Sequence, residues 1–217
     1  MARQKCSIFI TEILQNRLNC KNLIAGEDVS FGYKGLGDCN MLLNYSREGG
    51  FCAEILDKLM IKDVLPDEDS VGEVSSSYIR KEICAGNIAK GNALLERAFS
   101  VTGQVIHGNH LGSTVFDMPT ANIKWPENKV FPAFGVYFTR ILADNTWYNG
   151  ITNVGTKPTI EQGGQKEVLA ESYLYDFDAD LYGKTVTVAF YGYHRPEQKF
   201  ESLESLQEQL AKDILWG

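Results

Sequence analysis

Residues 107–122, with the sequence HGNHLGSTVFDMPTAN, contain the densest group of residues that could bind a phosphorylated ligand. Gly108 and Gly112 bracket a polar loop that includes Ser113 and Thr114. A backbone of this type can approach a phosphate chain closely and donate its amide hydrogens to it. The segment is therefore a candidate for binding the phosphates of a nucleotide.

Pro119 fixes the backbone just before two oxygen-bearing side chains, Thr120 and Asn122. The two alternate along an extended segment, so we expect them to point the same way and to present a hydroxyl and an amide oxygen together. Oxygen ligands of this type suit Mg²⁺. The alternative is a turn begun by the proline, in which Asn122 bonds its own backbone.

Glu171 lies in the middle of an apolar strand pattern, VLAESYLY over residues 168–175. Glutamate is depleted at such positions. A carboxylate held by a rigid strand could act as a general base for a substrate hydroxyl, which contributes about 10²- to 10⁴-fold in rate. The alternative is that Glu171 only faces solvent on the outer side of the strand.

Three other polar residues have weaker interpretations. His107 and His110 form an H-G-N-H pattern with no third histidine or cysteine nearby, so we interpret them as loop residues rather than metal ligands. Arg195 precedes Pro196 at the end of a predicted strand. An arginine there is either a solvated charge or a group that stacks on, or hydrogen-bonds, a planar ligand.

The residues before position 98 predict an α/β unit. Ser75, Ser76 and Ser77 precede Tyr78 and provide a natural N-cap for a helix, which Gly86 is expected to end. The other predicted elements are a helix with the apolar face Ile8, Ile10, Ile13, Leu14 and Leu18, a short buried strand over 22–25, a glycine-rich loop over 26–38, a helix over 51–60, an acidic loop over 63–73 and a helix over 89–98.

After residue 98 the pattern changes to short runs rich in valine, threonine and aromatic residues, which is typical of a β-barrel or sandwich. A closed barrel is favoured because it leaves no exposed strand edge. A final helix carries an apolar stripe, with Ser202 as its N-cap. The predicted strands cover 100–107, 135–142, 147–154, 168–176 and 184–193, and the stripe consists of Leu203, Leu206, Leu210 and Ile214.

The composition excludes several classes of protein. A net charge of −7 argues against a general nucleic-acid-binding surface. No segment reads as a membrane span or a signal peptide, so we expect a cytoplasmic protein with no nucleic-acid or membrane partner. The 5 cysteines are odd in number and contain no C-x-x-C pair, which predicts reduced thiols rather than disulfides or a zinc site.

Six motifs follow one another within residues 92–213: LLERAFSVTGQVIHG, GST with PTAN, FGVY, NVGTKPT, AESYLYDFDADLYG and RPEQKFESLESL. In this order they resemble the riboflavin kinase family. The resemblance implies a six-stranded antiparallel Greek-key barrel with a C-terminal helix. It also implies an ATP-dependent kinase that transfers the γ-phosphoryl group of ATP to the 5′-hydroxyl of riboflavin, giving FMN and ADP.

The resemblance further implies a role for each candidate residue. On this interpretation Thr120, Asn122 and Glu171 converge inside the barrel around metal-bound ATP. The implied roles are nucleotide phosphate binding for Gly108, Ser113 and Thr114, contact with Mg²⁺ and ATP for Thr120 and Asn122, proton acceptance from the flavin hydroxyl for Glu171, a border to the nucleotide for Tyr182, and approach to the flavin for Arg195, Gln198 and Ser202.

Two positions depart from the family pattern near ATP. Asp117 stands where the family usually has a glycine, and Thr114 stands where a basic residue commonly follows Gly-Ser. An extra carboxylate near ATP would weaken the free energy of ATP binding by about 1 kcal/mol or more, unless Mg²⁺ or Lys124 offsets its charge. We therefore predict a weakened affinity for ATP, which Asp117→Gly should restore, as measured by the Michaelis constant for ATP.

GEDVSFGYKGLGD at residues 26–38 and VSSSYIRKEICAG at residues 74–86 resemble the second half of the FAD synthetase (FMN adenylyltransferase) domain. That domain precedes the kinase in bacterial bifunctional enzymes, and its HxGH motif belongs to the missing first half. No histidine precedes His107, so we expect no FAD synthesis by this chain alone. The predicted domains are a partial FAD synthetase domain over 1–97 and a riboflavin kinase domain over 98–217.

Several interpretations of the whole chain stay open. A half-domain exposes strand edges, which self-association, a separate chain or its own helices would cover. The chain could also be a catalytically idle flavin- or nucleotide-binding module in regulation or assembly, which the two departures near ATP favour. Alternatively, Met1 is a boundary within a full bifunctional enzyme.

Overall fold

The computed structural model describes residues 5–66, 71–107, 120–157 and 167–198, together with Ser205, Glu208, Gln209, Lys212 and Asp213 of the C-terminal segment. These residues form two compact units, which separate between Val74 and Ser75. Each unit has its own hydrophobic core. In the described part of the chain, no helix is long and apolar enough to span a membrane.

The first unit is an α/β unit, as predicted. Its two strands pair in parallel, with Asn22 opposite Cys52 and Gly26 opposite Leu56. The helical segments that contain Ile10, Leu14 and Leu42 pack on one face of this sheet around a buried core. The elements are helix α1 (Cys6–Ile8), which continues as a π-helix over Phe9–Arg17, then β1 (Asn22–Gly26), α2 (Cys39–Arg47), β2 (Cys52–Leu56) and the short α3 (Ile61–Val64).

Two predictions in this unit are wrong. Residues 51–60 do not form a helix, because Cys52–Leu56 pairs with β1 and this pairing outweighs the helical spacing of the apolar residues. The first strand is not buried either: Ile24 is 64% exposed. It faces away from the core because the packed face of the sheet is the one that carries Leu23 and Ala25.

Two helices begin at side-chain caps. Asp38 accepts a hydrogen bond from the backbone amide of Met41 (2.9 Å) and caps α2, a helix that was not predicted. Ser75, the first of the three serines predicted to provide a cap, caps α4 (Ser76–Cys84) in the same way. The chain leaves α4 at Gly86, whose positive φ of 86° favours glycine.

Helix α5 (Ile88–Leu95) is attached to the barrel by Asn92. The Asn92 side chain donates to the carbonyl of Phe190 (2.8 Å) and accepts from the backbone amide of Phe99 (2.7 Å). Helices α4 and α5 therefore belong to the second compact unit, which begins at Ser75 rather than near residue 98. The division into functional domains at 97/98 stays a prediction.

Six strands close into an antiparallel barrel, which confirms the expected fold. The order around the barrel is β3-β4-β7-β6-β5-β8. Strands β5, β6 and β7 are consecutive neighbours and β8 returns beside β5, which is a Greek-key connection. The strands are β3 (Phe99–Ile106), β4 (Thr120–Lys124), β5 (Gly135–Ala143), β6 (Thr146–Lys157), β7 (Glu167–Leu174) and β8 (Thr185–Arg195).

The barrel interior is filled by side chains. Tyr137 and Phe190 are among the largest fully buried residues. A line of hydroxyls crosses the same interior: Thr152 Oγ1 lies 2.8 Å from both Thr139 Oγ1 and Ser172 Oγ, and all three residues are buried. A narrow barrel of this kind has a packed core and no room for a ligand. A ligand must therefore bind to its outside.

The C-terminal segment is attached to the end of β8 by the buried side chain of Asp213. Its described residues are helical, in agreement with the predicted final helix. The predicted cap and apolar stripe of this helix lie outside the described residues; they are Ser202, Leu203, Leu206, Leu210 and Ile214.

Candidate active site

Three polar side chains lie next to one another on three neighbouring strands. Asn122 on β4 is paired with Glu171 on β7, and Glu171 is paired with Asn153 on β6. Residues directly opposite each other in antiparallel strands point to the same face, with Cβ atoms about 4.5–5.5 Å apart. The pairing therefore creates a polar row, Asn122–Glu171–Asn153, in which the carboxylate lies between two amides.

The polar row lies on the outer wall of the barrel. Ala170 and Ser172, the neighbours of Glu171 in β7, are both 0% exposed, whereas Glu171 is exposed. Successive residues of a strand point to opposite faces, so Glu171 points away from the interior. Thr120 and Asn122 share its face. The expectation that the three residues converge inside the barrel is wrong, because core side chains fill that space.

Asn122 supplies a buried oxygen that has no partner among the described residues. The side chain is 5% exposed, and its Oδ1 has no hydrogen bond there. Thr120 lies two residues earlier on the same face of β4, so the alternative of a turn at these positions is wrong. A hydroxyl and an unpaired amide oxygen fit the ligand chemistry of Mg²⁺. Within the described ranges, no cluster of three His, Cys, Asp or Glu residues forms a metal site.

Asn153 was not predicted as a site residue, although it belongs to the NVGTKPT motif. Its Nδ2 donates to Oε1 of Glu197 (3.3 Å), and its Oδ1 is buried without a partner in the described part of the chain. Glu197 lies over Gly155, where a Cβ would overlap its carboxylate. The sequence signal that could have identified Asn153 is a polar side chain within a predicted strand. Its position beside Glu171 depends on strand pairing, which the pattern of a single strand does not reveal.

Tyr182 forms an exposed aromatic pair with His107. The ring centroids are 3.6 Å apart, and the ring planes are inclined by 19°. Tyr182 is 53% exposed, and its backbone amide donates to the Asp180 carboxylate (2.8 Å). His107 directly precedes the segment predicted to bind phosphates. The pair therefore lies where that segment leaves β3, while the contact of Tyr182 with a nucleotide stays a prediction.

Arg195 is bound to a buried carboxylate. Its Nη2 lies 2.7 Å from Oδ2 of Asp213. His194 Nε2 and Gln209 Nε2 lie 3.0 and 2.8 Å from Oδ1 of the same residue. Burial alone would raise the pKa of Asp213, but the hydrogen bonds, first that of Arg195, hold the pKa below its ordinary value. Arg195 therefore attaches the C-terminal segment to the barrel, and its contact with the flavin stays a prediction.

The other candidate residues are described only in part. Gln198 is described and exposed just after β8. Five other residues lie outside the described part of the chain: Gly108, Ser113 and Thr114 of the predicted phosphate loop, Asp117, and Ser202 at the C-terminal helix. The roles of Gln198 and of these five residues stay predictions.

Family models match both parts of the chain. The riboflavin kinase model matches residues 95–216, which is more than half of the chain. The FAD synthetase model matches residues 1–65. The FAD synthetase match includes the motif at residues 26–38, whereas the motif at residues 74–86 lies between the two matches.

Curated relatives match nearly the whole chain. A protein named bifunctional riboflavin kinase/FMN adenylyltransferase from Buchnera aphidicola is 36% identical over 208 residues, which are 95% of this chain and 63% of the relative. A protein of the same name from Haemophilus influenzae is 35% identical over 214 residues, 98% of this chain and 65% of the relative. The chain thus spans slightly less than two thirds of the length of these relatives.

A solved structure has a similar fold over nearly the same span. Its title describes a macrolide-efflux protein from Streptococcus pneumoniae. It superposes with a TM-score of 0.82 at 30% sequence identity, and the match covers 98% of this chain and 64% of that chain.

Proposed function

Because the chain belongs to the riboflavin kinase family, we propose that it transfers the γ-phosphoryl group of ATP to the 5′-hydroxyl of riboflavin. The products are FMN and ADP. The observation that carries this proposal is the pairing of Asn122 with Glu171 across β4 and β7. It brings a carboxylate that can accept a proton next to an oxygen that suits the metal of ATP.

Glu171 is the proposed general base. It accepts the proton of the 5′-hydroxyl while the hydroxyl oxygen bonds to the γ-phosphorus of ATP. The bond between this phosphorus and the bridging oxygen breaks, and ADP leaves with the electron pair. Phosphoryl transfer depends on alignment and charge neutralisation more than on covalent help from the protein, so a carboxylate fixed on a strand is sufficient.

Mg²⁺ is the proposed cofactor, and Thr120 and Asn122 would hold it. When bound, the ion neutralises charge on the phosphates of ATP. The buried Oδ1 of Asn122 supports this assignment, because an acceptor without a partner is costly unless a cation or a donor reaches it. The nucleotide phosphates would contact Gly108, Ser113 and Thr114.

The remaining roles concern the two substrates. Tyr182 would border the nucleotide, and its exposed ring supports this role. Gln198, Ser202 and Arg195 would approach the flavin. The guanidinium of Arg195 is already held by Asp213, so it would meet the flavin as a fixed planar group.

Incubation with riboflavin, ATP and MgCl₂, followed by chromatographic separation of the flavins, tests the proposed reaction. We expect FMN and ADP in equal amounts, and no FMN when EDTA removes the metal. Riboflavin binding without FMN formation would contradict the proposal and would favour the catalytically idle module.

The first unit has a proposed partner of its own. Ile24 and Leu56 are exposed on the outer face of the sheet, and a two-stranded sheet is marginally stable alone. A second copy or a separate chain would cover this face. A monomeric sedimentation profile with a well-ordered first unit would rule out both. The cytoplasm is the proposed location.

A further inference from the structure

We propose that Asn153 recognises the acceptor: its Oδ1 accepts a hydrogen bond from the hydroxyl next to the one that is phosphorylated. The inference rests on the proposed function and adds the acceptor side of the same site. It makes the acceptor a polyol, with a secondary hydroxyl beside the reacting primary hydroxyl. In riboflavin these are the 4′- and 5′-hydroxyls.

The order of the polar row separates the phosphoryl donor from the acceptor. Glu171 is paired with Asn122 on one side and with Asn153 on the other. In phosphoryl transfer the attacking and leaving oxygens lie roughly in line, on opposite sides of the phosphorus. The metal and ATP belong to the Asn122 side. The carbon chain of the acceptor therefore extends from Glu171 toward Asn153.

The hydrogen bonding of Asn153 determines which group it can bind. A primary amide offers donor hydrogens on nitrogen and an acceptor oxygen. Nδ2 donates to Glu197, so the oxygen is turned away from that carboxylate. Oδ1 is buried and has no partner in the described ranges. It requires a donor, which a hydroxyl supplies and a phosphate or carboxylate anion does not.

Glu197 acts as a positioning residue for Asn153. Its carboxylate lies over Gly155, which shares the outer face of β6 with Asn153 two residues away. Gly155 thus leaves space for the contact. Glu197→Ala would free the Asn153 amide to rotate. Glu197→Gln keeps an oxygen that accepts from Nδ2 and should retain the orientation.

A double-mutant cycle between the protein and the substrate tests the inference. Wild type and Asn153→Ala are assayed with riboflavin and with 4′-deoxyriboflavin at saturating ATP and Mg²⁺. If one hydrogen bond joins the two groups, removing either should lower kcat/KM about tenfold, and removing both should cost no more than removing one. The Michaelis constant for ATP should stay within about twofold.

Asn149→Ala is the matched control, because Asn149 is exposed on the same face of β6. It should discriminate against 4′-deoxyriboflavin as the wild type does. The Glu197 variants add a readout that a merely structural role would not change. Glu197→Ala should lose the discrimination, and Glu197→Gln should restore it with an unchanged thermal midpoint.

Additive losses in the cycle would overturn the inference and leave the proposed function intact, because FMN is still formed. Equal loss of discrimination in Asn149→Ala would overturn it as well. Failure of the wild type to form any FMN would overturn the proposed function, and the inference with it. If Asn153→Ala does not fold, the two Glu197 variants make the same comparison through the orientation of Asn153.

Discussion

At Asn122, metal binding can be measured apart from proton transfer, because an amide oxygen carries no titratable proton. Asn122→Ala removes one of the two proposed oxygen ligands of Mg²⁺. We expect the Mg²⁺ concentration for half-maximal FMN formation to rise by about tenfold or more, and the Michaelis constant for riboflavin to change little. A metal titration of the initial rate measures the first effect, and calorimetry of Mg²⁺ with ADP measures it without turnover. An unchanged metal requirement would remove Asn122 from the site.

Residue type and local spacing were enough to select Asn122 and Glu171 as candidates, because Asn122 alternates with Thr120 after Pro119 and a glutamate is unusual within an apolar strand. They were not enough to select Asn153. Asn153 joins the candidate site through its register opposite Glu171, which is set by pairing between strands distant in sequence. The same limit explains why the site was expected inside the barrel. Alternation along β7 separates two faces, but composition does not say which face is outside.

At the scale of the strands, the buried hydroxyl line should stabilise the sheet beneath the polar row. Thr152 bridges Thr139 and Ser172, and Ser172 directly follows Glu171. Thr152→Val keeps the shape and removes the shared hydroxyl. We expect a loss of about 1–3 kcal/mol in the free energy of unfolding, measured by urea denaturation.

The exposed hydroxyl pair Thr102–Thr187 provides the control for this experiment. Thr102→Val should change the free energy of unfolding by less than about 0.5 kcal/mol. Equal effects of the two substitutions would show that the buried line contributes nothing specific.

The buried Asp213 should stabilise the attachment of the C-terminal segment. Asp213→Asn keeps the shape but leaves Arg195 facing a neutral group. Removing one partner of a buried ion pair costs about 3 kcal/mol in the free energy of unfolding, and denaturation at neutral pH measures it. A loss of less than about 0.5 kcal/mol in the free energy of unfolding would contradict this role of Asp213.

The ion pair between Asp213 and Arg195 also predicts how the free energy of unfolding depends on pH. Burial alone would raise the pKa of Asp213, but hydrogen bonds led by that from Arg195 lower it below its ordinary value of 3.8. Stabilisation by a carboxylate with a lowered pKa is fully present above the unfolded pKa and is lost as the pH falls through the folded pKa. The difference in the free energy of unfolding between wild type and Asp213→Asn should therefore shrink as the pH falls below about 4. A difference independent of pH would contradict it.

Local signals in the sequence were enough to predict helix α4 and strand β8. A run of serines marks the start of α4 and Gly86 follows it, and β8 is rich in valine, threonine and aromatic residues, whereas α2 also begins at a cap, Asp38, and was not predicted. The strand Cys52–Leu56 could not be predicted in this way, because its apolar residues also fit a helix face. Only the parallel pairing with β1 decides between a helix and a strand. That pairing joins residues that are distant in sequence, such as Asn22 and Cys52, which lie 30 positions apart.

At the scale of the whole molecule, the flavin product distinguishes the two parts of the chain. The chain matches the FAD synthetase model over residues 1–65 but contains no histidine before His107. We predict that incubation with FMN, ATP and Mg²⁺ yields no FAD, because the HxGH motif of adenylyl transfer is absent from this sequence. Chromatography against an FAD standard measures this, and FAD formation would contradict it.

We propose that phosphoryl transfer takes place at the polar row on the outer wall of the barrel, with Glu171 as the base. Glu171→Gln compared with Glu167→Gln tests it most directly, because Glu167 lies on the same face of β7 and pairs with Lys124 (2.6 Å) away from the row. The measurement is the rate of FMN formation in a single turnover. We expect Glu171→Gln to lower the rate by about 10²- to 10⁴-fold and Glu167→Gln to leave it within about twofold. A Glu171→Gln protein as fast as its Glu167→Gln control would contradict the proposal.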